Sequence, residues 1–205
     1  MKQGLFITFE GTDGAGKTTQ IMRLQAYLSD RGHDTVLTRE PGGTPISEKL
    51  RQIILDKEHA EMNAVTEALL YAAARAQHVA EVIRPALAAG KVVICDRFTD
   101  SSIAYQGFGR GLGQCVEDIN AVATGMLKPD RTFLLQLPPA QGKSRIAEEA
   151  RDRLEQEKLD FYEKVCGGYA ALAEKEPQRI TVIDATRTID EIAAVIRREI
   201  DQLLQ

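Results

Sequence analysis

The sequence contains no apolar run approaching the ~18–20 residues of a membrane-spanning helix, which excludes a membrane role of that kind. It also lacks an excess of base: 26 Lys and Arg stand against 30 Asp and Glu, a net charge of −4. Such a chain has no general attraction for nucleic acid or anionic lipid, so its basic groups must act locally. Cysteine and histidine are scarce. Cys95, Cys115 and Cys166 are odd in number, far apart and without CxxC spacing, so they read as free thiols rather than a disulfide or zinc framework. His33, His59 and His78 are equally scattered, which argues against a histidine-based metal site. No secretory pattern follows Met1, since Lys2 leads only to the short run Leu5–Phe9; a cytoplasmic protein is expected. No repeat, linker or low-complexity stretch divides the chain, and residues 1–205 are expected to form one domain.

What the chain does contain is Gly11-Thr12-Asp13-Gly14-Ala15-Gly16-Lys17-Thr18. This stretch lies between the apolar run Leu5–Phe9 and a segment with helical spacing at Ile21, Leu24 and Leu28. In a strand–loop–helix setting, GxxxxGK[ST] is a phosphate cradle. Glycines let successive N–H groups turn toward one point, and the helix N-terminus adds partial positive charge. Lys17 can then reach the β and γ phosphates, and the Thr18 hydroxyl can ligate Mg²⁺.

Lys2–Glu10 is predicted as the first strand and Gly16–Arg31 as the first helix, closed by Gly32. Thr35–Thr38 reads as a second strand entering the sharp loop Arg39-Glu40-Pro41-Gly42-Gly43. Thr44 and Pro45 start a helix with one apolar face, Ile46, Leu50, Ile53 and Ile54. Met62–Ala89 has helical spacing, with Pro85 expected to kink or divide it and Gly90 to stop it. Lys91–Asp96 is a continuous apolar run ending in a carboxylate, the pattern of a buried parallel strand. Helices are predicted over Thr99–Tyr105 and Val116–Leu127, around the Gly-rich bend Gly107–Gly113. A strand over Arg131–Leu137 precedes charged helices over Pro139–Arg151 and Leu154–Glu174, and Arg179–Asp184 is the last strand. Thr188 and Glu191 form a capping box for a final amphipathic helix. Five strands alternating with helices predict an α/β sheet, mostly or wholly parallel and covered on both faces, with ligands at the carboxyl ends of its strands.

Asp96 and Arg97 follow an apolar strand at that ligand end. Asp96 can organise Mg²⁺ directly or through water. The planar fork of Arg97 suits a second phosphate, although an ion pair with a neighbouring acid is an alternative. The loop Arg39–Gly43 could be a bare turn, but it shares the sheet edge with the phosphate loop. Tyr71 and Arg75, four apart, lie on one helix face and can hold a base by stacking and hydrogen bonding. A core tyrosine beside a solvated arginine is the other reading of that pair.

Taken together, FEGTDGAGKTTQ, TREPGGT, YAAARAQH, DRF, SSIAYQGFGRGL, DRLEQE and IDAT resemble the thymidylate kinases over nearly the whole chain. The phosphate loop is common to many nucleotide-binding proteins; the TREPGG and AYQGxGRG pair is far more specific. The resemblance implies a P-loop NTPase-type five-stranded parallel sheet with a helical lid near residues 141–157, and a homodimer. It implies transfer of the γ-phosphoryl group of ATP to dTMP with Mg²⁺. Gly11, Thr12, Asp13, Gly14, Ala15, Gly16, Lys17, Thr18 and Thr19 would bind ATP, with Thr18 and Asp96 on the metal. Asp13 would approach the monophosphate sugar and the phosphate-binding arginine, and Arg39 and Arg97 would hold the dTMP phosphate beside Pro41. Tyr71 would stack on thymine, Arg75 would bond its edge, Ser102 and Gln106 would complete the base pocket, and Tyr105 would lie against the deoxyribose. The phosphate loop carries no arginine, so the finger on the transferring group would come from the lid: Arg151 or Arg153, with Arg145 as the alternative. Phe98 stands where DRY or DRH is commoner. The competing classes are another nucleoside monophosphate kinase and a slow nucleotide-dependent switch; only a kinase needs a second set of phosphate-binding arginines.

Overall fold

The apolar runs at Leu5–Phe9 and Val92–Cys95 lack polar alternation, and both become strands buried on two faces. The computed structural model describes residues 4–138, 140–141 and 152–204. Its strands are β1 (Leu5–Glu10), β2 (Thr35–Arg39), β3 (Val92–Asp96), β4 (Arg131–Gln136) and β5 (Ile180–Asp184). They form one sheet in the order β2-β3-β1-β4-β5, with every neighbouring pair parallel. The described helices are α1 (Lys17–Ser29), α2 (Pro45–Leu55), α3 (Ala64–His78), α4 (Arg84–Ala88), α5 (Thr99–Ser102), α6 (Cys115–Thr124), α7 (Leu159–Lys175) and α8 (Ile189–Leu203).

The two-residue period of the strands divides the core into faces. Ile7, Phe9, Ile94, Phe133 and Leu135 pack under Leu24 and Leu28 of α1 and Ile192, Ile196 and Ile200 of α8. On the other face Phe6, Val93 and Cys95 meet Val79, Ile83 and Phe98. There, too, Leu134 and Ile180 meet Tyr105 and the α7 residues Phe161, Val165 and Tyr169. Glu10 shares the parity of Phe6 and Thr8, which places its carboxylate on this second face.

Several boundaries differ from the sequence reading for local reasons. β1 starts at Leu5, because the Gly4 N–H bonds Leu87 O at 3.1 Å outside the ladder. The first helix begins at Lys17, since Gly16 is left-handed at φ 88°. Pro85 does divide the long helical stretch. A proline ring crowds the carbonyl four residues back, and the chain widens into a π turn over Val79–Ile83 before α4 begins. The helix predicted over Thr99–Tyr105 ends at Ser102 and runs into a second π turn, Ile103–Gly109. A helix was expected from Leu154, but α7 starts at Leu159. Asp152 Oδ1 accepts the N–H groups of Leu154 and Glu155 at 2.9 Å, and this local turn competes with helix. The capping box of Thr188 and Glu191 forms as predicted. The helix expected over Pro139–Arg151 falls almost entirely outside the described residues.

Candidate active site

Strand register assembles the site. Phe9 of β1 and Arg39 of β2 both stand opposite Asp96 of β3, so three strand ends and the loops leaving them lie side by side. The phosphate loop leaves β1, the Glu40–Gly43 loop leaves β2, and Arg97 leaves β3. Gly11 cannot be replaced in that loop: its φ is 127°, and a Cβ there would stand 2.3 Å from Leu135 O.

Lys17 Nζ is folded onto the loop, donating to Gly11 O at 3.0 Å and Thr12 O at 3.1 Å, with Asp13 3.7 Å away. Burial lowers the Lys17 pKa, and the nearby Arg97 cation adds to the effect. Burial alone would raise Asp13, but Arg97 and Lys17 overcome it and hold the carboxyl at about 2. Arg97 itself has a left-handed backbone, φ 69°, unusual for a residue with a Cβ. It donates to Asp13 Oδ1 at 2.7 Å, Ser101 Oγ at 3.2 Å and the Tyr169 hydroxyl at 3.3 Å, and its guanidinium lies 5.2 Å from the Tyr105 ring centre. Among the described residues, those three bonds leave two of its five N–H groups for a ligand.

Two adjoining clefts meet here. The first is lined by Gly14, Gly16, Lys17, Thr18, Thr19, Arg39 and Asp96. The second is lined by Pro41, Tyr71, Arg75, Ser102, Tyr105 and Gln106, together with Leu55, Ser101, Asp152, Leu154 and Glu155. Asp13, Glu40, Arg51 and Arg97 line both. Two arginines thus stand at the junction of a phosphate-loop cleft and an aromatic cleft, where two anions brought together would need their charge offset.

Arg75 is no solvated arginine. It is 2% exposed and donates from Nε to Glu40 Oε2 at 2.6 Å, from Nη1 to Ser102 Oγ at 2.9 Å and to Asn120 Oδ1, and from Nη2 to Phe98 O at 3.0 Å. Among the described residues, one N–H on Nη2 remains without an acceptor, in a residue that lines the aromatic cleft. Glu40 is held in turn by His78 Nδ1 at 2.8 Å, and Nε2 of that ring pairs with Thr38 Oγ1 at 2.6 Å. Glu40, His78 and Cys95 form the one group of three potential metal ligands among the described residues. Both ring nitrogens are committed, Arg75 neutralises the carboxylate, and burial pushes the Cys95 thiol well up, so the group serves as a hydrogen-bonded support.

Asp96 Oδ1 is buried without a hydrogen-bond partner among the described residues, and Asp96 lines the same cleft as Thr18. An orphaned buried carboxylate oxygen beside a hydroxyl and a phosphate cradle suits a hard cation such as Mg²⁺.

Two of the expected residues, Arg39 and Arg153, stand elsewhere than the sequence reading put them. Arg39 lines the phosphate-loop cleft but not the aromatic one, and its Nη2 is paired with Glu48 at 3.0 Å. Arg51, which sequence reasoning missed, takes the junction; its Nη1 donates to Pro41 O at 2.9 Å. Its only signal was an arginine on α2, one residue beyond the apolar Leu50. Arg153 lines neither cleft. It is buried, donates to Ile54 O at 2.9 Å and stands 2.7 Å from Glu67 Oε2, committed to an ion pair rather than free for a phosphoryl group. Arg145 and Arg151 lie outside the described residues. Gln106 lines the aromatic cleft, with its amide nitrogen bonded to Glu67 Oε1 at 2.9 Å.

The model of the family described as thymidylate kinase matches residues 9–196. The thymidylate kinase of Lactobacillus delbrueckii subsp. bulgaricus is 55% identical over 197 residues, covering 94% of this chain and 93% of that protein. That of Desulforudis audaxviator is 52% identical over 204 residues, covering 98% and 92%. Among solved structures, the thymidylate kinase of Ehrlichia chaffeensis is 34% identical, with a TM-score of 0.80 over 97% of this chain and 99% of that one.

Proposed function

The chain belongs to the thymidylate kinase family, and from that premise we infer how its own residues carry the γ-phosphoryl group of ATP to dTMP. The observation that carries the reading is the junction of the two clefts at Arg51, Arg97 and Asp13. ATP lies along the phosphate loop, where Lys17 exchanges the carbonyls of Gly11 and Thr12 for phosphate oxygens. The acceptor dTMP fills the aromatic cleft. Tyr71 stacks on thymine, the last N–H of Arg75 bonds a base carbonyl, and Tyr105, whose buried hydroxyl has no partner among the described residues, lies along the deoxyribose. Arg97 offers its two remaining N–H groups to the dTMP phosphate, and Arg51 offsets charge from the other side.

Phosphoryl transfer then asks for alignment rather than a protein nucleophile. An oxygen of the dTMP phosphate attacks the γ phosphorus, the bond to the β,γ-bridging oxygen breaks, and ADP leaves with that electron pair. Asp13 fixes Arg97 laterally. Thr18 and Asp96 would hold Mg²⁺, which when bound neutralises charge on the phosphate oxygens. Residues 141–157 are read as the lid of a single domain. With Arg153 tied to Glu67, the arginine on the transferring group is Arg151 or Arg145.

The same reading includes a cytoplasmic homodimer. Among the described residues, no helix is long and apolar enough to cross a membrane. Val65 and Leu69, one turn apart on α3, are 49% and 50% exposed, and Val122 on α6 is 85% exposed. These apolar side chains support a subunit interface on the α3 and α6 side. Light scattering of the purified protein should give twice the 22.6 kDa chain mass. The assignment of the two clefts is tested by titrating dTMP against Arg97→Ala: weakened dTMP with ATP binding retained supports it, and the reverse pattern opposes it.

A further inference from the structure

Glu10 is a buried carboxylate that the phosphoryl chemistry above does not use. It ends β1, is wholly buried, and touches neither cleft. Its partners are specific. Oε1 accepts the Phe98 N–H at 2.7 Å, the first amide after the left-handed Arg97. Oε2 accepts the Ser101 hydroxyl at 2.5 Å and the Tyr169 hydroxyl at 3.2 Å. Those two hydroxyls are 2.9 Å apart, and both accept from Arg97 Nη1.

We propose that Glu10 is a positioning residue for the acceptor phosphate, acting through Arg97. The proposal rests on the reading of Arg97 as the residue that holds that phosphate. The backbone of Arg97 depends on Glu10. A non-glycine residue at positive φ persists where its surroundings over-determine it. Here β1 pins both sides: the Arg97 N–H bonds Phe9 O at 2.9 Å, and the next N–H bonds Glu10.

Hydrogen-bond polarity ties the Arg97 side chain to Glu10 as well. A carboxylate only accepts and a guanidinium only donates, whereas a hydroxyl has one proton and can face either way. With Glu10 beneath them, the Ser101 proton points down to Oε2, and the Tyr169 proton points to Oε2 or to Ser101. Both hydroxyls therefore turn lone pairs up to Arg97 Nη1. The chain from Glu10 to Arg97 has one direction, and Glu10 sets it.

Glu10→Gln keeps the shape but cannot keep both functions. With its NH₂ toward the hydroxyls it donates to them and turns their protons at Arg97. With its NH₂ the other way it faces the Phe98 N–H, donor against donor.

The test is steady-state kinetics at pH 8 on Glu10→Gln, Arg97→Ala, the double variant and Tyr169→Phe, varying dTMP and ATP separately. We expect Glu10→Gln to raise the KM for dTMP about tenfold with the KM for ATP within about twofold. Tyr169→Phe, which keeps the ring in the core, should raise it about threefold. In the Arg97→Ala background, Glu10→Gln should add almost nothing, because the route through Arg97 is already gone. An unchanged dTMP KM in Glu10→Gln beside a raised one in Arg97→Ala would overturn the proposal while keeping the reading of Arg97. An unchanged dTMP KM in Arg97→Ala would instead overturn the reading beneath it. Should Glu10→Gln fail to fold, Tyr169→Phe decides: equal losses toward ATP and dTMP, or none, oppose the proposal.

Discussion

Arg75→Met tests whether the aromatic cleft is built on a buried ion pair. Methionine keeps much of the volume and removes the charge and all five donors. The partner left behind is Glu40, whose side chain, like that of Arg75, is 2% exposed. Removing one member of such a pair costs about 3–5 kcal/mol, because the other charge stays buried and uncompensated. Ser102, Asn120 and Phe98 O lose donors as well, so the upper part of that range is expected. For a chain of this size each kcal/mol shifts Tm by about 2–4 °C, so the midpoint should fall by about 8–20 °C. Thermal denaturation by circular dichroism at pH 7.5 reads it directly. Adding Glu40→Gln removes the orphaned charge and should recover at least about 1 kcal/mol over additivity. A fall of less than about 3 °C, or a strictly additive double variant, would refute the reasoning.

Four further outcomes follow from the same geometry. Lys17→Ala should lower kcat by about a hundredfold or more, since a donor aimed at transition-state charge is lost; near-normal turnover at saturating ATP would displace the phosphate loop from the mechanism. Arg51→Ala should raise the KM for dTMP about tenfold, and an unchanged value would remove Arg51 from the junction. Of Arg145→Ala and Arg151→Ala, one should lose turnover far more than nucleotide affinity; equal modest losses would remove the idea of a single finger. Glu10 governs a pH dependence of stability. Burial first, and Asp100 second, raise its pKa from 4.5 to about 7, so the folded state holds the extra proton between those values. Stability therefore falls as pH rises through that window, and Glu10→Gln should flatten the slope. Parallel stability curves for the two proteins would contradict this.

The fold was legible because its signals are local. Uninterrupted apolar strands, the Pro85 break, Thr44 before Pro45 and the Thr188–Glu191 box each act within a few residues. The phosphate loop and Asp96-Arg97 were legible for a related reason, since position at a strand end tells which way the chain faces the ligand. What escaped depends on three-dimensional neighbours. Arg51 is one arginine among many in the chain, on a helix legible mainly by its apolar face, and only the Pro41 carbonyl and the cleft junction distinguish it. Arg153 looked like a finger because lid arginines share one pattern, but its direction is set by Glu67, some ninety residues distant in sequence. Glu10 and Glu40 read as ordinary acids beside motifs, and their burial and partners emerge only when β1, β2 and β3 lie side by side. The turn at Asp152 was missed because a side-chain bond to the backbone outcompeted a helix-compatible sequence.

The most direct measurement is ADP formation from Mg·ATP with a panel of nucleoside monophosphates, each product identified. Strong stimulation by dTMP is expected, with dTDP as product, and weak or no stimulation by UMP, AMP and GMP. Preference for a purine monophosphate, or ATP binding without any acceptor-dependent turnover, would contradict it.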